Sequence, residues 1–392
     1  MTNDKRDARV LLAMLAVVVL MTAPGAAQVR TTQVLVEDLG TLGGTESLGL
    51  ALIDGDQAVG FSTTASDAEQ HAFLWTRMAG MRDLNTLGGP FSAAAAIGPA
   101  GQVVGSSFTP AFEQHAFLWT PRLGMIDLGT LGGTQSVATA VNVGGRVAGQ
   151  SATSDGHFHA FSWQAREGIL DLGVLPGDTR SAGLAVNAHG QIVGGSFNDE
   201  NGRFRGFSWT PATGLADLGT LGGHVSSLAV AVNAAGDVVG YSVSENFSET
   251  HAFSWTALTG MTDIGTLGGA YSAAAAVNAV GQTVGQSGSA AGQFHAFSWT
   301  RRDGLMDLGT LGGAFSAATA VNDQGQVVGY SETATGEVHA FSWTRRDGMV
   351  DLGTLGGPLS IATAVNASGH VLGYSSPVGG SGLRAVLWTM SR

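Results

Sequence analysis

The sequence contains no cysteine, which excludes disulfides, thiolate metal sites, thiol nucleophiles and lipid attachment to a cysteine. Charge is scarce as well. Only 12% of the 392 residues are charged, and the 30 acids outnumber the 18 bases. A net charge of −12 argues against a nucleic acid or an anionic membrane surface as partner. The one long apolar run, Val10 to Met21, has 12 residues, well short of the roughly 20 that a membrane-spanning helix needs. What is abundant is glycine, at 60 residues, within a chain that is 44% hydrophobic. Such a chain can bury a large core, so wholesale disorder is excluded.

The apolar run has an addressing role. Lys5, Arg6 and Arg9 precede it, and Ala23, Pro24, Gly25, Ala26 and Ala27 follow. Basic residues, a short apolar stretch and small residues in that order read as a secretory signal peptide, residues 1–27, cleaved after Ala27. The mature chain from Gln28 is then expected to be secreted, extracellular or periplasmic, with no membrane segment.

The rest of the chain repeats itself. Asp-Leu-Gly-Thr-Leu-Gly-Gly, or a close variant, begins at Asp38, Asp83, Asp127, Asp171, Asp217, Asp263, Asp307 and Asp351, at intervals of 44 to 46 residues. A second motif, His-Ala-Phe-(Ser/Leu)-Trp or a variant, ends at each of the 8 tryptophans, from Trp75 to Trp388. Residues 28–392 are therefore expected to form one repeat domain. Each repeat reads as four short strands, for example Ser272 to Val277, Gln282 to Ser287, His295 to Trp299 and Leu305 to Leu308.

Loop lengths carry the topology. From each repeat's Trp to the following Asp the distance is always 8 residues, and from the turn asparagine to the next strand's glycine it is 7, as from Asn142 to Gly149. Length varies only between Asp and the first strand, and between the second and third strands. In an up-and-down sheet alternate connections share an end, so both variable loops emerge on one face, where function usually sits.

Four-stranded repeats of about 40–45 residues are the size of a propeller blade. Thr31 to Leu39 resembles a fourth strand with no blade before it, and Ala385 to Trp388 a third strand with none after it. Joined, they would complete an eighth blade and protect the sheet edges. The expected fold is an all-β, eight-bladed propeller closed by the N-terminal strand, with a β-solenoid as the alternative. Within His295-Ala296-Phe297-Ser298-Trp299, alternation places the large side chains on one face, ready to fill the gap between blades. In the last repeat Val386 stands where the others carry Phe.

These residues resemble the HAF-repeat family of bacterial secreted proteins. The tripeptide stands at His71, His115, His159, His251, His295 and His339, and degenerates to Arg205-Gly206-Phe207 and Arg384-Ala385-Val386. The resemblance covers essentially the whole mature chain. It implies an extracellular repeat protein and no particular activity.

Six equivalent histidines in different blades would lie too far apart to share one ion at ligand distances near 2 Å, so no metal and no cofactor is expected. A structural pairing is expected instead, between His295 and Asp307, Arg205 and Asp217, and Arg384 and Asp38, each at the adjoining ends of third and fourth strands. The Gly-Gly pairs lack the Gly-Lys-Ser/Thr of a phosphate loop and read as tight turns. No Asp-x-Asp-x-Asp-Gly loop marks a calcium site.

A single site should show as departures from the repeat on the variable face. Before the first strand these are Glu46, Asp178, Arg180, His224 and Tyr271. Between the second and third strands they are Asp67, Glu69, Glu113, His157, Asp199, Glu200, Arg203, Glu245, Glu249 and Glu337. Phe91, Tyr271, Phe315 and Leu359 are expected to form an apolar collar around the axial opening. The expected function is a monomeric binding or structural module taking a neutral glycan or a cell-envelope protein. The alternative is a polysaccharide hydrolase or lyase using the loop carboxylates, although no Ser-His-Asp or His-Glu-x-x-His signal supports it.

Overall fold

The computed structural model describes residues 33–380 and 382–391. The expected signal peptide, and Thr31 and Thr32 of the expected N-terminal strand, lie outside them. Among the described residues every regular element is a strand, 32 in all, and none is a helix.

From Gly43 to Asp351 the strands fall into consecutive groups of four, one group per repeat, each strand antiparallel to the next. These groups are termed units 1 to 7. Unit 6, for example, comprises Gly268–Val277, Thr283–Ser289, Phe294–Thr300 and Gly304–Asp307. The last three strands, Gly356–Val365, Val371–Pro377 and Arg384–Ser391, form unit 8. Their fourth partner comes from the other end of the chain. Gln33–Asp38 lies antiparallel to Arg384–Ser391, from Gln33 opposite Ser391 to Asp38 opposite Val386.

The first strand of unit 6 begins at Gly268, not at the expected Ser272. Gly268, at φ +103°, pairs with Ser289, and the register then slips before Ser272 pairs with Ser287. Leu267 N–H donates to Ser287 Oγ at 2.9 Å, which draws the Gly-Gly segment alongside the second strand. The pair is thus a bulged strand entry rather than a free turn.

A second slip, between Ala274 and Ala276, presses the Ala273 carbonyl onto the neighbouring strand. A Cβ on Gly285 would stand 2.0 Å from that oxygen, and Gly60, Gly105, Gly149, Gly194, Gly240, Gly329 and Gly373 meet the same obstacle. Only glycine fits there. That is the physical reason for its fixed distance from the preceding turn.

The core lies between units. Val284, Ala296 and Leu308 of unit 6 pack on Phe341 and Trp343 of unit 7, so the small face of one sheet receives the aromatic face of the next. The same arrangement joins unit 8 to unit 1, where Leu372, Ala385 and Leu387 meet Phe73 and Trp75. Hydrogen bonds follow the same path, from Thr319 Oγ1 to Ala362 O at 2.8 Å and from Thr363 Oγ1 to Gly49 O at 2.9 Å.

At the fixed-turn end the buried turn asparagines form a ladder. Asn142 Nδ2 donates to Asn187 O, and the pattern continues through Asn233, Asn278 and Asn322 to Asn366, at 2.9–3.0 Å. Asn366 then donates to Asp56 Oδ1 of unit 1 at 3.1 Å.

Candidate functional site

At the opposite end, where the loops vary, each unit carries one closed polar circuit. His295 Nδ1 lies 2.8 Å from Asp307 Oδ2, and Asp307 Oδ1 accepts the Gly309 N–H at 2.8 Å. The Gly309 carbonyl accepts Ser316 Oγ at 2.6 Å, and that oxygen in turn accepts the Ala296 N–H at 2.8 Å. Ser316 belongs to unit 7, so the circuit fastens one unit to the next. The other five His–Asp contacts measure 2.8 or 2.9 Å at closest.

Arginine takes the same place in two units. Arg205 lies 2.8 Å from Asp217, and Arg384 lies 3.4 Å from Asp38. Around Asp38 the circuit runs through Gly40 and Ser47 to the Ala385 N–H, spanning both ends of the chain. The serine was not singled out in the sequence, because its partners, which for Ser316 lie 7 and 20 residues upstream in unit 6, belong to the preceding repeat and become neighbours only on folding.

The residue before that serine is Glu46, Phe91, Gln135, Arg180, Ser226, Tyr271, Phe315 or Leu359, one per unit. Its carbonyl accepts a serine hydroxyl from the second strand in every case, at 2.9–3.5 Å. The backbone is held the same way eight times while the side chain differs almost every time.

These positions do not form the expected axial collar. Phe91 bridges Gln70, Tyr271 bridges Thr250, Phe315 bridges Phe294 and Leu359 bridges Val338, each at the start of the preceding unit's third strand. The chain crosses outward over the seam between units before reaching the innermost strand, so the side chains sit over seams. Three pack edge-on against other rings: Phe91 on Phe108, Tyr271 on Phe294 and Phe315 on Tyr330, at 5.8, 5.5 and 6.3 Å. Burial, and then the neighbouring Tyr330, raises the Tyr271 phenol above its ordinary value.

Several loop candidates are already engaged. Asp178 is buried against Arg205 at 3.1 Å, which corrects its reading as a ligand-facing carboxylate. Arg180 clamps Asp199 at 2.6–2.9 Å and lies over the Phe197 ring; this contact, with help from Thr179, lowers the Asp199 carboxyl and raises the guanidinium. Asp67 receives Thr45 N–H at 2.7 Å, and with the Thr63 hydroxyl this holds its carboxyl below the usual range. Glu69, Glu113 and Glu337 reach the far nitrogen of their motif histidines at 3.6–3.8 Å. His224 lies edge-on to His251 at 5.5 Å.

Glu46 is exposed, its N–H bound to Thr63 Oγ1. His157, Glu200 and Glu249 are exposed or half-exposed in the loops between second and third strands. Arg203 and Glu245 pair at 3.1 Å beside a cleft of about 220 Å³ between units 4 and 5. Phe247, which lines the cleft, was not among the sequence candidates; its signal would have been an aromatic, shared only with Phe112 of unit 2, where units 1, 3, 4, 6 and 7 carry glycine or aspartate.

No protein-family model matches the chain, and no curated protein matches it. Among solved structures, the Dos1 propeller is similar with a TM-score of 0.55, covering 90% of this chain and 94% of its own, at 12% identity. The scaffold is a β-propeller. A puromycin-hydrolysing peptidase from Mycobacterium tuberculosis is also similar, with a TM-score of 0.50 and 11% identity, but this chain covers only 59% of it. At such identities the likeness concerns the fold alone.

Charge divides between the propeller's two ends. The motif aspartates lie at the variable-loop end, where Arg180, Arg203, Arg205 and Arg384 are each tied to a carboxylate. Arg122, Arg166, Arg301, Arg302, Arg345 and Arg346 occupy the fixed turns, where Glu167, Asp303 and Asp347 offset part of their charge.

Proposed function

We propose that the protein is a secreted, non-catalytic binding module of the HAF-repeat type. Its eight units are the blades of a closed propeller, and its variable-loop end takes an uncharged ligand, a neutral glycan. One observation carries this reading: at the residue before the seam serine the backbone is fixed identically in eight units while the side chain changes from Glu to Phe, Gln, Arg, Ser, Tyr and Leu. A scaffold that holds this row's backbone alike while its side chains change, all but the buried Ser226 at least partly exposed, is suited to presenting different contacts to one ligand. The loop carboxylates favour this over hydrolysis, since Asp178, Asp199 and Asp67 are spent on fixing loops. The test is an array of neutral glycans, with the hits followed for cleavage. Retention without turnover supports the reading; cleavage products, or no retention at all, overturn it.

A further inference from the structure

The loop joining second and third strands needs one residue in the left-handed region. In units 3, 4, 6 and 7 that residue is glycine: Gly156, Gly202, Gly292 and Gly336, at φ between +70° and +89°. In each, its N–H donates back across the turn, as from Gly156 to Thr153 O at 3.0 Å. Unit 1 uses Asp67, at φ +54°, whose carboxylate binds Thr45. Units 2 and 5 place a phenylalanine there: Phe112 at φ +60° and Phe247 at +55°, with the same turn hydrogen bonds. An aromatic residue is strained in that conformation, and both are exposed, at 71% and 69%. Neither strain nor exposure serves folding here.

The two differ in their surroundings. Phe247 stands at the cleft between units 4 and 5, with Asn201, Arg203, Ser226 and Glu245 around it. Its volume of about 220 Å³ lies below the ~300 Å³ at which drug-sized sites begin, the size of one ring rather than a chain. A phenyl face attracts the polarised C–H edges of a sugar ring. An exposed Arg–Glu pair and an amide supply donors and acceptors for vicinal hydroxyls.

We infer that this cleft is a subsite for a single neutral sugar ring, stacked on Phe247 and hydrogen-bonded by Arg203, Glu245 and Asn201. The inference rests on the glycan reading above and gives it an address.

The test compares the wild-type protein with Phe247→Gly and Phe112→Gly, first on immobilised neutral mono- and disaccharides, then by calorimetric titration with the methyl glycoside of whichever sugar binds. Glycine relieves the turn, so both variants should melt at or above the wild-type temperature. Phe247→Gly should weaken binding tenfold or more, and Phe112→Gly should leave it within twofold. Retention by wild type and Phe247→Gly alike, or an equal loss in Phe112→Gly, overturns this subsite and spares the glycan reading. Failure of the wild type to bind any sugar overturns both.

Discussion

At the scale of single residues, stability is concentrated in small closed circuits. Removing Ser316 Oγ leaves the buried Ala296 N–H and the Gly309 carbonyl unpaired, so Ser316→Ala should cost about 1–3 kcal/mol by urea titration. His295 and Asp307 lie nearer solvent, with side chains 16% and 43% exposed. A double-mutant cycle on them should give a coupling of about 0.5–1 kcal/mol, and additive losses would break the proposed link. Asp56 differs in kind. Burial pushes its carboxyl up, but hydrogen bonds from His370, at 2.6 Å, and Arg77, at 2.9 Å, hold it below its ordinary value. A lowered carboxyl stabilises the fold above its unfolded value near 3.8 and loses that effect as pH falls through the folded one. Acid unfolding below about pH 4 should therefore be less steep in Asp56→Asn than in the wild type.

At the scale of strands, much was legible. Fixed spacings around Trp and the turn asparagine located the hairpins, because a two-strand turn of set geometry tolerates no insertion. The glycine after each asparagine was visible as a spacing, but its reason, a carbonyl 2.0 Å from where its Cβ would stand, exists only in the folded sheet. Gly285→Ala should accordingly destabilise by more than about 3 kcal/mol, whereas the same change at an unstrained glycine site stabilises by about 0.4–1 kcal/mol. The collar was misplaced because a place after the Gly-Gly pair fixes a residue's position along the chain but not its radius. Phe91 and Phe315 are carried outward by the crossing between units, a path set by Ser107 and Ser331 gripping their carbonyls. Asp178 was misread for a related reason. Its partner Arg205 is 27 residues away, and an acid in a variable loop looks solvated until that partner is seen.

At the scale of the whole molecule, the two ends of the chain meet in one sheet. The seam between units 8 and 1 repeats the aromatic-on-small packing of the others, with Phe73 and Trp75 against Ala385 and Leu387. It adds an ionic cluster at its fixed-turn end: Asp56 with His370 and Arg77, and Arg77 with Glu37 at 2.8 Å. That cluster replaces the asparagine ladder where unit 1 carries Ile53 in the asparagine's place. The proposed secretion is tested at this scale too. N-terminal sequencing of protein from the culture medium or periplasm should begin at Gln28, and recovery with Met1 intact would contradict the leader assignment.

The most direct measurement of ring closure is hydrogen exchange and thermal melting of a chain beginning at Gly40, which lacks Gln33–Asp38 and Leu39. Closure predicts that amides of Arg384–Ser391 lose protection and that the melting temperature falls by ten degrees or more, about what losing a strand and several kcal/mol of packing implies. Unchanged protection of that strand together with an unchanged melting temperature would contradict it.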